Sequence, residues 1–164
     1  MRVKFIHWYN MLLTAFISLL GFSSCNKSGE SEEVPCEYGC PITEFKVKGT
    51  VTDTNGTPIE GIQVSVLSQQ NSEDTDPVSL QTTTTLSDGT FTTEMMSKMS
   101  LNEVAETVKV KFEDIDDTAN GGLFDSKTVS AADLTQTQTK EGDGGWFMGE
   151  FEYSGTISLS PLSK

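Results

Sequence analysis

The sequence has little basic charge and almost no histidine. Its 164 residues include 11 Lys and Arg against 24 Asp and Glu, with one His and three Cys. The one histidine, His7, precedes the first plausible cleavage point, so a processed chain has no imidazole to serve as general base or metal ligand. This excludes Ser-His-Asp and Cys-His nucleophiles and histidine zinc sites. The acidic surplus repels phosphate backbones, so the sequence predicts no nucleic-acid partner.

Recognisable catalytic motifs are also missing. Ser and Lys residues lack a nucleophile elbow or an S-x-x-K setting, and the loop Gly142-Asp143-Gly144-Gly145 lacks the Lys-Ser/Thr ending of a phosphate loop. Glycoside hydrolysis requires a pair of catalytic carboxylates, but with 24 acidic residues in the chain the presence of such a pair in the sequence indicates nothing. The sequence therefore predicts a protein that is not an enzyme.

Residues 1–24 have the order of a secretory signal peptide. A basic start (Arg2, Lys4) precedes an apolar run at 11–20, and Ser23 and Ser24 stand before Cys25. This ending resembles the bacterial lipobox, with Phe22 in place of the usual leucine, and predicts lipid acylation of Cys25. An uncleaved membrane anchor and plain secretion are the alternatives. Cleavage before Cys25 removes two positive charges and no acid, which takes the net charge from −13 to −15.

Residues 25–43 are predicted to form an acylated cysteine followed by a flexible acidic tether, and the tether carries the other two cysteines. Cys36 and Cys40 form an even pair once Cys25 is acylated, and in an oxidising compartment such pairs are mostly structural disulfides. Two separately used thiols, or a metal or redox pair, remain alternatives. The C-x3-C spacing lacks the third cysteine of a radical SAM cluster motif, so the chain is not itself such an enzyme.

Residues 44–164 alternate apolar and polar side chains with the period of β-strands. About seven short strands with turn residues between them predict one all-β domain, an antiparallel Greek-key β-sandwich after the N-terminal signal helix. The only helical pattern is the short segment Leu101 to Glu106. The predicted core comprises Phe45, Val47, Val51, Ile62, Val64, Val66, Leu80, Phe91, Val108, Val110, Phe112, Phe147, Phe151, Ile157 and Leu159.

Three segments in order carry a family resemblance. The sequence resembles the carboxypeptidase regulatory-like domain in the stretches from Phe45 to Asp53, from Gly56 to Val64 and from Ser87 to Phe91. That resemblance implies a transthyretin-like β-sandwich without catalytic residues, of a kind that recurs in Bacteroidetes envelope proteins.

A second resemblance extends over almost the whole chain. The sequence is similar to the radical SAM-associated lipoproteins of Bacteroides-like bacteria in five places. These are the basic start, the residues Gly21 to Cys25, Pro35 to Gly39, the loop from Asp114 to Gly122, and Gly142 to Trp146. This resemblance implies a lipid-anchored cell-envelope protein with a radical SAM enzyme as a partner. It also opens an alternative function, in which the chain is an exported substrate of that enzyme, modified at a thiol or phenol side chain in the segment from Cys36 to Cys40. Lys27 and the glutamates that follow it resemble the acidic tag of Bacteroidetes outer-membrane lipoproteins, which predicts the outer membrane, with an ordinary solvated linker as the alternative.

Two surface features suggest ligands. The predicted calcium ligands are Asp114, Asp116, Asp117 and Asn120, since carboxylates on a glycine-containing loop can wrap Ca²⁺, although the spacing fails the EF-hand pattern and a solvated turn is the alternative. No other cofactor is expected. Asp143 could join this site if the two loops meet.

An aromatic run near the C-terminus suggests a second ligand class. Trp146, Phe147 and Tyr153 could supply an exposed platform for a glycan, although at most one or two of them can escape the core. A partner protein or a glycan bound by the sandwich is the remaining expectation.

Overall fold

The computed structural model describes residues 40–69, 76–116, 119 and 122–162. All of them lie in one compact unit, Glu37–Lys164. The predicted signal peptide, Cys25 and Cys36 lie outside the described residues. The elements in chain order are β1 (Ile42–Thr52), β2 (Ile62–Ser68), β3 (Val78–Thr84), β4 (Thr90–Thr92), β5 (Met96–Lys98), α1 (Leu101–Thr107), β6 (Val108–Asp114), β7 (Lys127–Ser130), β8 (Thr135–Glu141) and β9 (Phe147–Ser158).

The strands form two sheets, which confirms the predicted all-β sandwich. The first sheet has the order β4-β1-β9-β8, with β5 also paired to β1, and the second has the order β3-β2-β6-β7. The chain crosses from β3 to the first sheet and returns through α1 to place β6 beside β2, which is a Greek-key path. Strands β1 and β9 are parallel, whereas the other named pairs are antiparallel.

The described residues contain nine strands rather than about seven, and the predicted boundaries change in two ways. The segments predicted as separate strands on either side of Ser154 form the single strand β9, and Gly155 within it pairs with Gly49. Strands β5, β7 and β8 were not predicted, because they are short or lack an apolar face. The first strand also begins at Ile42, just before the predicted boundary at residue 44.

The turn from Asp53 to Thr57, between β1 and β2, is stabilised by the side chain of Asp53, as its turn residues predict. Asp53 Oδ1 accepts hydrogen bonds from the backbone N–H groups of Asn55 and Thr57, both at 2.8 Å. The bond from Thr57 is the main reason that the pKa of Asp53 lies below its usual value. Gly56 follows with φ of 86°, a conformation that glycine adopts without steric cost. This turn leads the chain from the first sheet to the second.

The core lies between the sheets and includes most of the predicted residues. Phe91 and Phe112 meet edge to face across it, with ring centroids 5.6 Å apart, and Phe45 meets Tyr153 in the same way at 6.1 Å. The prediction was wrong for Leu80, which is exposed on the edge strand β3, and for Phe147, which is only half-buried at the start of β9 and lies outside the buried core. Additional buried side chains were not predicted as core, namely Ile59, Val104, Ala131 and Tyr153.

Candidate functional site

Strand β8 forms an open edge of the first sheet. Its sequence is Thr-Gln-Thr-Gln-Thr-Lys-Glu, and all seven residues are exposed. Its one neighbour among the described strands is β9, so the backbone groups on its other side have no strand to pair with. Such an edge is a template for an added strand. The β-branched threonines could have indicated a strand here, but the segment has no apolar face to mark it.

The edge is regular only in its first half. A register shift between Gln138 and Lys140 inserts Thr139 as an extra residue, and the Thr139 hydroxyl donates to the Glu150 carbonyl at 3.2 Å. Bulges and lysines commonly limit uncontrolled pairing at a sheet edge. The straight, uncharged stretch from Thr135 to Gln138 is therefore the part of β8 best suited to pair with another segment.

The side chains of β8 are anchored to its neighbour. The buried phenol of Tyr153 donates to the Gln136 side-chain oxygen at 3.3 Å, and burial raises the pKa of this tyrosine. Lys140 Nζ lies 2.9 Å from Glu150 Oε1 and 5.1 Å from the centre of the Phe147 ring. These contacts fix the position of the edge strand and leave its outer backbone accessible.

The outer face of the first sheet carries a shallow depression of about 670 Å³. It adjoins β8 through Thr135, and Gly49 and Gly155 contribute backbone at its floor. Six of its lining residues carry hydroxyls, namely Thr50, Thr90, Thr92, Thr135, Ser154 and Thr156. The hydroxyls of Thr90 and Ser154 already donate to Asp88 Oδ1 and to the Thr135 carbonyl. Hydroxyls both donate and accept hydrogen bonds, so this surface suits a hydroxylated ligand.

A carboxylate between two lysines borders the depression. Glu152 lies 2.7 Å from Lys48 Nζ and 3.3 Å from Lys46 Nζ, and its side chain is 14% exposed. The hydrogen bond from Lys48, helped by a weaker one from Lys46, holds the pKa of Glu152 below its usual value against the opposing effect of burial. The charge of Lys48 is therefore partly neutralised before any ligand arrives.

The lowered pKa of Glu152 predicts a pH-dependent contribution to stability. Because the folded-state pKa lies below the unfolded value, the stabilisation is present above the unfolded pKa and is lost as the pH falls through the folded pKa. We expect Glu152→Gln to lower the free energy of unfolding by at most about 1 kcal/mol near neutral pH. In acid, the two proteins should be equally stable in urea titrations.

Glu113→Gln is the matched control, since Glu113 pairs with Lys111 on a more exposed surface. It should change stability less than Glu152→Gln at neutral pH. A loss in Glu152→Gln that stays constant down to strongly acidic pH would contradict the assignment.

The predicted calcium residues fall partly outside the described part of the chain. Asp117 and Asn120 are not described, whereas Asp114 Oδ2 accepts from Phe124 N at 2.9 Å and Oδ1 from Asp116 N at 3.3 Å. Asp114 thus links the two ends of the loop between β6 and β7. In the described ranges, no group of three or more His, Cys, Asp or Glu side chains is arranged to hold a metal. Calcium binding stays a prediction.

Asp114 and Asp143, one from each glycine-containing loop, lie at opposite ends of the sandwich. Asp114 pairs with Ile62, near the end of the sandwich where β1 finishes. Asp143 lies at the other end, where its Oδ1 accepts from Phe147 N at 3.2 Å beside the start of β9. Since β1 separates these ends by roughly 30 Å, Asp143 is not part of a shared site.

The remaining predicted site residues have different surroundings. Cys40 is disulfide-bonded, and its predicted pairing with Cys36 stays a prediction because Cys36 is outside the described residues. The aromatic run does not form a single platform, because Tyr153 is buried, Phe147 is half-buried and Trp146 is exposed. No helix in the described ranges has the length and apolar character needed to span a bilayer.

The two sheets and the crossing connections between them place the described domain in the class of all-β sandwiches. No protein-family model matches the sequence, and no curated protein matches it. Among solved structures, the chain is similar to 3-chlorocatechol 1,2-dioxygenase from Rhodococcus opacus 1CP, with a TM-score of 0.42 and 13% identity over 77% of this chain. It spans 62% of that dioxygenase chain. A likeness of this degree carries no inference about activity.

Proposed function

We propose that this protein is a non-catalytic, lipid-anchored module of the cell envelope that binds an extended segment of a partner protein along β8. The proposed anchor is Cys25, after cleavage of residues 1–24, in the outer membrane. The observation that carries the binding role is the exposed, polar and unpaired edge formed by β8. Main-chain hydrogen bonds would supply affinity, and the side chains of Thr135 and Thr137 would supply selectivity.

Placing a lysine on this edge tests the proposed binding surface. We expect Thr137→Lys to reduce recovery of the partner from native envelope extract severalfold, because a charged side chain on an edge opposes strand addition. Thr128→Lys on β7, an exposed edge strand of the second sheet, is the matched control and should retain the partner. Equal recovery with both variants, or recovery no greater than with an unrelated lipoprotein, would contradict strand addition at β8.

The hydroxyl-lined depression supports a second proposal, a glycan as the ligand. The hydroxyl-bearing side chains that line it could hydrogen-bond a neutral saccharide. Because the depression adjoins β8, the Thr137→Lys variant can be tested for binding of both a glycan and the partner protein. Binding of envelope glycan by the wild-type protein and by Thr137→Lys, with loss in Thr156→Val, would favour the depression over the edge.

The resemblance to radical SAM-associated lipoproteins supports a further alternative, in which the chain is a substrate of that enzyme. The predicted modification would lie in the segment from Cys36 to Cys40. Because Cys40 is disulfide-bonded and has no free thiol, the phenol of Tyr38 is a target chemistry that this segment still offers. An intact mass from the native host that lipid and one disulfide fully explain would exclude this alternative.

A further inference from the structure

Four exposed apolar side chains lie at one end of the first sheet. Strands β1 and β9 begin at this end, and β5 finishes there, because Thr43 pairs with Lys98 and Ile42 pairs with Phe147. The N–H of Ile42 donates to the carbonyl of Trp146 at 2.6 Å. We call this group the basal patch; its members and their exposed fractions are Ile42 (42%), Met99 (55%), Trp146 (54%) and Met148 (51%).

The chain enters the domain beside this patch. Cys40 and Pro41 immediately precede β1, so the segment that leads back to Cys25 joins the sandwich at its basal end. Fourteen residues, 26–39, separate Cys25 from Cys40, and a chain of that length reaches at most about 50 Å when fully extended. Anchoring at Cys25 would therefore hold the basal patch close to the bilayer surface at high effective concentration.

The chemistry of the patch suits the interfacial zone of a bilayer. Tryptophan has an apolar ring and a polar N–H, a combination that favours the boundary between headgroups and acyl chains. Glu44, Glu141 and Asp143 lie at the same end. These acids and the net charge of −15 after processing favour zwitterionic over anionic headgroups.

The exposed apolar side chains at the opposite end supply a comparison. Leu86, Leu123 and Leu162 lie where β1 and β9 finish, as the hydrogen bonds from Leu86 N to Thr90 O and from Leu162 N to Leu123 O place them. They are separated from the basal patch by the length of β1, roughly 30 Å. The segment that carries the proposed anchor therefore joins the domain next to the basal patch and roughly 30 Å from this second group.

We propose that the basal patch docks on the zwitterionic interface of the bilayer that holds the anchored chain. The proposal rests on the lipid anchor at Cys25 proposed above. Docking would fix the orientation of the domain, with β1 and β9 rising away from the membrane and the finishing ends of both strands furthest from it.

Trp146 itself reports on docking, because the sequence has two tryptophans and the other, Trp8, is removed with the signal peptide. The mature protein purified from the native host is reconstituted in phosphatidylcholine vesicles with or without brominated acyl chains. We expect a blue-shifted Trp146 emission that bromine quenches, and weaker quenching when phosphatidylglycerol is included. The double variant Ile42→Ser/Met148→Ser should lose the quenching, whereas Leu86→Ser should retain it.

Flotation of the vesicles separates the two levels of the proposal. Protein that floats but shows no bromine quenching would overturn docking while leaving the anchor intact. Protein that does not float would overturn the anchor, and docking with it. An emission shift that requires an added envelope protein, and not lipid alone, would assign the basal patch to a protein partner and would also overturn docking.

Discussion

Replacement of Cys25 by serine is expected to release the protein from the membrane almost completely. A serine hydroxyl cannot form the diacylglyceryl thioether that the predicted lipobox requires, so the chain would lose its acyl chains. In the native host, we expect incorporation of labelled palmitate to disappear. The mature, lipid-modified form recovered in the membrane fraction should also be lost.

The matched control for this change is Cys36→Ser, which removes a thiol of the same predicted mature chain. It should retain both the palmitate label and the membrane location. Equal membrane retention of Cys25→Ser and the wild type, without labelled palmitate in either, would instead indicate an uncleaved anchor within residues 1–24. Secreted protein lacking lipid in both would indicate plain export.

Replacement of Phe112 by alanine is expected to remove much of the domain's stability. Phe112 lies on β6, is fully buried and meets Phe91 of β4 edge to face, so it connects the second sheet to the first. Truncation of a buried phenylalanine leaves a cavity and typically costs about 3–5 kcal/mol. Because small domains are stable by only about 5–15 kcal/mol, denaturant titration should show a large shift of the midpoint.

The neighbouring Lys111→Ala is the control, since Lys111 lies on the same strand with its side chain toward solvent and pairs with Glu113 there. Its effect should be within about 0.5 kcal/mol. If Phe112→Ala destabilised the protein no more than Lys111→Ala, the two sheets would not be joined through the Phe91 and Phe112 pair.

The sandwich was predictable because its central strands have clear alternation. In β1, β2 and β6, buried apolar residues alternate with polar ones. In a two-layer sandwich each sheet has one face in the core and one face in solvent, which produces this alternation. Tyr153 shows the limit of that reasoning. Its aromatic ring was considered for a glycan platform, but the pairing of Tyr153 with Val47 in the parallel ladder places it in the core.

The candidate binding edge was not predictable from local sequence. Residues 135–139 alternate threonine with glutamine, so neither face of the segment is apolar enough to predict burial. The edge exists only because β9 pairs with β1 on one side and with β8 on the other. The basal patch is also a product of topology. Its members come from three distant parts of the chain, which the pairing of β1 with β5 and β9 brings to one end.

The sequence alone determined the absence of histidine from a processed chain, the predicted acylation signal, the acidic charge and the two-layer β architecture. These properties follow from composition and from local sequence patterns, because the period of side-chain directions along a strand or helix is set within a few residues. Tertiary structure decided which strands are edges, that Asp114 and Asp143 lie at opposite ends, and that exposed apolar residues gather beside the entry of the tether. Those outcomes depend on pairing between residues distant along the chain, which local periodicity does not encode.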